Sequence, residues 1–535
     1  MTLRLAVAFS VLLGAPVLGQ VPGGKGSQPG ALDGGVAVQG AVQSCRTCHD
    51  NNISDEMTPY TPFNSWVSSM MANSTRDPLF RAALAVANQD VPGIGAWCLR
   101  CHSPQAWVRG KLSVPDDRDF DALDHEGVTC DACHRSIVES GDATAPYLFN
   151  AQLTWSTTAT RFGPYPHVPS PAHSGAQSAF TGSSELCGQC HQVENPLVAW
   201  RGLDGGVLGP AFPLDTTYEE WKHSAYSTDA GFASCADCHM PRYVGDDGGT
   251  EYPISGVTGP RHKPRRHVFA GGNVWGLAAV AAADPARAQK YAREFEETKK
   301  WALANLAAAA TLSMRALSDE ARDGGLPLEV TVTNLSGHKL PTGYGDGRRV
   351  TLEVSVGVDA GWSALRTYRT VHGRFDAGPG EHLALHDTIF EDTRLWPKGF
   401  VPTRATQSVP SDFFGNATPG QDVVRFSVPA LADAGTVRVS IRLLYASTDE
   451  HYVRFLREAN HSNDAGEALH ELFSTTADAA QVSMVRADAE FPVTRAPAVA
   501  LPQSVAPKGC GCQSNAASLG ALALVFALRR SRRRG

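Results

Sequence analysis

Two hydrophobic periods divide the second half of this chain. From Asp284-Pro285 onward, "PARAQKYAREFEETKKWALANLAAAATLSMRAL" carries Tyr291, Phe295, Ala302, Leu306, Ala309 and Leu312 at approximate helical spacing. That pattern predicts one long helix with a single buried stripe. Asp284 stands where an N-cap belongs, and Pro285 falls in the first turn, where its missing N–H costs nothing. After "DGG" at 323–325 the period becomes two. Leu328, Val330 and Val332 alternate with polar residues, as do Val350, Leu352, Val354 and Val356, then Val424, Phe426 and Val428, then Val437, Val439, Ile441 and Leu443. Such alternation between Gly/Pro-rich turns predicts an antiparallel β-sandwich, immunoglobulin-like in kind.

Upstream the informative pattern is chemical. "CRTCH" (Cys45, Cys48, His49) recurs as "CLRCH" (Cys98, Cys101, His102), "CDACH" (Cys130, Cys133, His134), "CGQCH" (Cys187, Cys190, His191) and "CADCH" (Cys235, Cys238, His239). Ten of the twelve cysteines are used this way. Chance would give on the order of 0.01 copies per chain. Zinc ribbons use C-x-x-C, but a tetrahedral site takes two pairs, five pairs do not divide evenly, and no histidine is required after each. Dithiol redox pairs do not require it either. Covalent haem accounts for all three residues, because two thiols hold the porphyrin edge and the histidine gives its imidazole to iron. The expectation is five covalently attached haem c groups with the motif histidines as proximal iron ligands.

Each iron then takes a sixth ligand or keeps an open face. Between Gly40 and Gly271 the remaining histidines are His125, His167, His173, His223, His262 and His267, and Met57, Met70, Met71 and Met240 offer thioethers. His267 in "RRHVFAGGN" and His173 in "PSPAHS" lead as distal candidates, followed by His125. Wrapping residues 41–270 around five macrocycles leaves under about fifty residues per haem, too few for a large side-chain core. That region is therefore expected to be short helices and irregular chain packed on porphyrin. In "EHLALHD", His382 and His386 lie four apart, but in a β-rich neighbourhood they read as surface residues.

The stretches "FNSWVSSMMANSTRDPLFRAAL", "WCLRCHSPQAW", "HEGVTCDACHR", "LCGQCHQVENP", "TYEEWKHSAYS" and "SCADCHMP" resemble the cytochrome c-554-type multihaem family (the cytochrome c-552/4 domain) over roughly residues 41–270. The resemblance implies an exported electron-transfer protein with closely stacked, mostly bis-histidine haems. In that family a distal histidine often follows two residues after the serine of a Trp-x-x-Ser element. Here Trp66/Ser69 is followed by Met71, and Trp221/Ser224 by Tyr226. Met71 becomes a candidate axial ligand, with a packing methionine as the other reading. "NLSGHKLPTGYGDGRR", residues 334–349, resembles a segment that often accompanies such domains. His338 within it reads first as a structural turn histidine, with ligation of a haem from across the chain as the other reading. The family is related to pentahaem nitrite reductases and hydroxylamine-oxidising enzymes. The nitrite reductases usually mark their open iron with lysine in place of the motif histidine, and no C-x-x-C-K occurs here.

A formal charge of −7 argues against a nucleic-acid partner. The first twenty residues, "MTLRLAVAFSVLLGAPVLGQ", form a secretory signal pattern too short to span a bilayer. The end, "KGCGCQSNAASLGALALVFALRRSRRRG", resembles a MYXO-CTERM-type sorting tail, which implies processing and retention at the cell envelope. The organisation expected is a signal peptide at 1–20, a linker at 21–40, a pentahaem domain at 41–270, a helical connector at 271–322, the β-sandwich at 323–498, and a linker with sorting tail at 499–535. The leading function is electron transfer between redox partner proteins of the envelope, with membrane association through the tail. The alternative is a redox enzyme acting on a small nitrogen or sulfur compound at one five-coordinate haem, and a zinc-stabilised interaction protein comes third.

Overall fold

A computed structural model describes residues 25–32, 37–50, 61–112, 116–166, 170–195, 197–228, 230–242, 251–252, 261–262, 264–321, 325–358, 366–372, 375–401, 420–429, 435–492 and 494–495. The signal pattern, the sorting tail with Cys510 and Cys512, Met57 and His167 lie outside these residues. No helix among the described residues is long and apolar enough to cross a membrane.

The first half is short helices joined by irregular chain and two-stranded ribbons. Its longest helix before residue 270, Pro78–Asp90, is begun by Asp77, whose carboxylate accepts from the Leu79 N–H at 2.9 Å, and by Pro78 in the first turn. Each C-x-x-C-H lies on or next to one turn of helix. The second ends Gly95–His102, the third is Cys130–His134 and the fifth is Cys235–His239. The fifth is held by a capping box in which Ser234 and Asp237 satisfy each other's backbone N–H groups. Helical spacing puts residues i, i+3 and i+4 on one face, so two thiols and an imidazole leave each turn together.

The connector departs from the expected single helix. It is three helices, Val274–Ala283, Pro285–Lys290 and Ala292–Ala308. Asp284 caps the second, accepting from the Arg287 N–H at 3.0 Å. The expected stripe exists in part, with Tyr291, Phe295, Ala302 and Leu306 buried. The rest of the predicted helix is a strand, Ala310–Ala316, antiparallel to Gly325–Asn334 with Leu312 opposite Val332. The alanine-rich run favours helix locally, but pairing at the edge of a buried strand satisfies a full ladder of backbone groups, and tertiary context overrides propensity.

Four strands run where the alternation places them, at Gly325–Asn334, Arg349–Val358, Gln421–Pro429 and Thr436–Ala446. One antiparallel sheet orders 310–316, 325–334 and 421–429; the other orders 366–372, 349–358, 436–446 and 481–492. Leu326, Leu328, Val330, Leu352, Val354, Val437, Val439, Ile441 and Leu443 share one core, which continues into Phe63 and Trp66 of the first half. The expected purely β character is interrupted between 446 and 481 by a helical hairpin, Glu450–Ala459 and Ala465–Thr476. Asp449 caps its first helix through the Tyr452 N–H at 2.8 Å. Tyr452, Val453, Leu456 and Leu469 pack on Leu79, Ala82 and Val86 of Pro78–Asp90 and on Trp275. Leu456→Ala should cost about 2–5 kcal/mol, read as a lower urea midpoint with unchanged slope.

Candidate functional site

The ten motif cysteines and five motif histidines are residue types that proteins usually bury or partner. Here nine of the thiols are half-buried, Cys238 is exposed, none is in a disulfide, and His49, His102, His134 and His239 are half-buried while His191 is exposed. Cys98, Cys130 and Cys190 pack at the margins of the apolar clusters without being among their fully buried residues. Thiols from different motifs are electrostatic neighbours: Cys45 with Cys130, Cys101 with Cys190, and Cys187 with Cys235. The neighbouring Cys45 thiol, and then burial, push the Cys130 thiol well up, while burial pushes Cys98 up to about 12 and Cys133 up to about 11. The first motif therefore adjoins the third, and the fourth adjoins both the second and the fifth.

Three motif imidazoles are fixed by their outer nitrogen. Nδ1 of His102 lies 3.2 Å from the Ser74 carbonyl, that of His134 2.7 Å from Phe162's, and that of His239 2.6 Å from Ala270's. A carbonyl only accepts, so Nδ1 carries the proton and Nε2 keeps a lone pair for a metal. Burial lowers the imidazolium pKa of His102 and His239 to about 4 and also lowers those of His134 and His191. That direction favours the neutral, ligating form.

Three of the five motif histidines face another histidine. His49 and His173 have ring centres 6.5 Å apart with planes at 23°, His134 and His267 are 6.1 Å apart at 29°, and His239 and His338 are 6.1 Å apart at 20°. Two imidazoles on opposite sides of one metal ion stand about 6.2 Å apart, from nitrogen–metal bonds of about 2.0 Å and about 1.1 Å from each nitrogen to its ring centre. His102 packs quite differently, face to face with Phe80 at 3.6 Å. His173 and His338 each direct Nδ1 to a carbonyl one residue on, at 3.1 Å and 2.9 Å. Burial brings His267 down to about 3.

The two Trp-x-x-Ser elements form a repeated frame. Trp66 Nε1 donates to the Val128 carbonyl at 2.9 Å and Trp221 Nε1 to the Ala233 carbonyl at 2.8 Å, each two residues before a motif. The Met71 carbonyl accepts from the Val128 N–H at 2.8 Å, and the Tyr226 carbonyl from the Ala233 N–H at 2.9 Å. Met71 and Tyr226 thus occupy equivalent positions, one beside motif three and the other beside motif five. In both cases the histidine opposite the motif, His267 or His338, comes from further along the chain. His338 lies in the segment 334–349, where the turn reading comes first and ligation from across the chain second; its ring faces that of His239.

The other candidates fall elsewhere. His125 sits on a short turn, half-buried, with its ring edge-on to Phe120 at 5.6 Å. His223 Nε2 lies 3.1 Å from Glu219. Of the two expected surface residues, His382 is half-buried and His386 is not at the surface. His386 is fully buried, with Nε2 2.9 Å from the Gly380 carbonyl, while His382 Nδ1 lies 2.8 Å from Asp90. The chain folds back there over the first half, which alternation within one segment does not reveal. Among the described residues no three His, Cys, Asp or Glu side chains converge as a metal-holding group.

Residues 44–135, which carry the first three motifs, match the family described as "Cytochrome c554 and c-prime". No curated protein sequence matches this chain. Among solved structures it is similar to a penta-heme cytochrome c552 from Thermochromatium tepidum, at 17% identity and a TM-score of 0.48, covering 83% of this chain and 97% of that one. The family match, together with the motifs, supports a multihaem c-type cytochrome with covalently bound haem and a haem-based redox role.

Proposed function

We propose that residues 41–270 hold five haem c groups and that the chain passes single electrons between redox proteins of the cell envelope. Cys45/Cys48, Cys98/Cys101, Cys130/Cys133, Cys187/Cys190 and Cys235/Cys238 are the thioether anchors, and His49, His102, His134, His191 and His239 the proximal ligands. His173 opposite His49 and His267 opposite His134 are distal ligands. The observation carrying this reading is that histidines of C-x-x-C-H motifs face second imidazoles across the span of one metal ion. Bound haem supplies reversible one-electron exchange at iron.

The chain's own residues do the rest. Backbone carbonyls hold Nδ1–H and aim Nε2, burial keeps the rings neutral, and Ser65 Oγ accepts the His267 N–H at 2.9 Å to fix that ligand. Neighbouring thiols from different motifs bring the anchoring edges close, which suits rapid internal transfer. The amino-terminal signal pattern and the sorting tail support export and retention at the envelope membrane. The two sheets, immunoglobulin-like in kind, orient the haem region.

A pyridine haemochrome assay should return five equivalents per chain, one for each motif. Electron paramagnetic resonance showing low-spin iron throughout supports electron transfer. One ligand-exchangeable high-spin iron would move the reading to the alternative, conversion of a small nitrogen or sulfur compound. In His267→Met, the haem count should hold while one centre shifts to a higher potential, since thioether ligation raises it.

A further inference from the structure

The pairing of His239 with His338 joins the two halves of the molecule. His338 lies on the loop between strands Gly325–Asn334 and Arg349–Val358, so it belongs to the sheets. Its carbonyl is held by Asn334 Nδ2 and Ser336 Oγ, each at 2.9 Å. Gly337 is pressed onto the Trp-x-x-Ser frame, because a Cβ there would lie 3.1 Å from Trp221 and 3.6 Å from Tyr226. The Tyr226 hydroxyl donates to the Leu335 carbonyl at 2.7 Å. The residue standing where the family places a distal histidine therefore grips the loop that brings one.

Beside it lies a buried ion cluster. Lys339, 1% exposed, donates its N–H to Glu220 Oε2 at 3.0 Å and its Nζ to Asp392 Oδ2 at 2.8 Å. Arg394 clasps Asp392 with two bonds of 2.8 Å and lies 3.7 Å from Glu220 Oε1. Thr216 and Thr342 donate to Glu220 at 2.7 and 2.6 Å. Glu220 sits on helix Thr217–Lys222, between the fourth and fifth motifs, and this helix is tied to the His191 carbonyl through the Tyr218 N–H at 3.0 Å. Lys339 and Arg394 face Asp392 and Glu220. Buried ion pairs add little net stability because desolvation offsets attraction, and their best-attested use is to fix register. Here the register fixed is that of the loop carrying His338.

We propose that His338 is the axial ligand opposite His239, and that Glu220, Lys339, Asp392 and Arg394 are its positioning clamp, so that the fifth centre is completed only when the sheets dock on the haem region. The proposal rests on the reading that the fifth motif carries haem, and the assay separates the two.

In full-length holoprotein, His338→Ala should keep five haem equivalents while one of the five irons turns high-spin in electron paramagnetic resonance, and added imidazole should return it to low-spin. His338→Met should keep that iron low-spin at a raised potential, which separates loss of a ligand from loss of fold. Glu220→Ala, which leaves His338 intact, should produce a partial high-spin fraction at the same centre, with Glu220→Gln closer to wild type. Five haems with an unchanged spectrum in both His338 variants would overturn the ligand assignment. A spectrum altered by His338→Ala but untouched by Glu220→Ala would overturn the clamp. Four equivalents in wild type, unchanged on removing Cys235 and Cys238, would instead overturn the underlying haem reading.

Discussion

Made without covalent haem attachment, the chain is expected to lose its folded structure across residues 41–270. Its motif thiols are only part-buried, and its helices are mostly four to eight residues long. Isolated helices shorter than about 12 residues are marginal in water, so packing must supply their stability. Small metallo-domains without their metal behave in this way. Limited proteolysis of material made with and without the attachment machinery measures the difference. Cleavage should concentrate in residues 41–270 of the colourless protein, while the two-sheet core, built from valine, leucine and isoleucine, stays protected. Equal protection of both regions in the colourless protein would contradict a porphyrin-packed first half.

Arg394→Met should be the most damaging single substitution outside the motifs. It removes the guanidinium from the buried Asp392 and Glu220, and breaking a buried pair on one side costs about 3–5 kcal/mol. Equilibrium unfolding in urea would show this as a large fall in midpoint. Changing Lys339→Met and Asp392→Leu together keeps Arg394 with Glu220 and should cost much less than the separate changes add up to. Burial alone would raise the Asp392 carboxyl, but Arg394 and Lys339 hold it well below the usual range. Its folded value is therefore depressed, so its contribution is full above the unfolded value of about 3.9 and is lost as pH falls below it.

The molecule was unevenly legible in its sequence. Five C-x-x-C-H motifs identify their chemistry because everything that chemistry needs lies within one helical turn. The strands at 328–332, 350–356 and 437–443 were legible for a similar reason, since a period of two records a face buried along one segment. Strand Ala310–Ala316 was not, because its alanines favour helix and only the neighbouring strand makes it extended. The hairpin at 450–476 carries helical spacing and an aspartate cap, both readable once the expectation of continuous strand is set aside.

Sequence by itself pointed to the cofactor chemistry, the motif histidines proposed as proximal ligands and the alternating strands, because each rests on residues a few positions apart. Tertiary structure alone decided which histidine faces which. His173 and His267 were two candidates among several until the fold set them opposite His49 and His134. His338 passed for a turn residue until Glu220, Trp221 and Tyr226 were seen to hold its loop against His239. A pairing across the fold leaves no local period or spacing, since it is set by packing between elements distant in the chain.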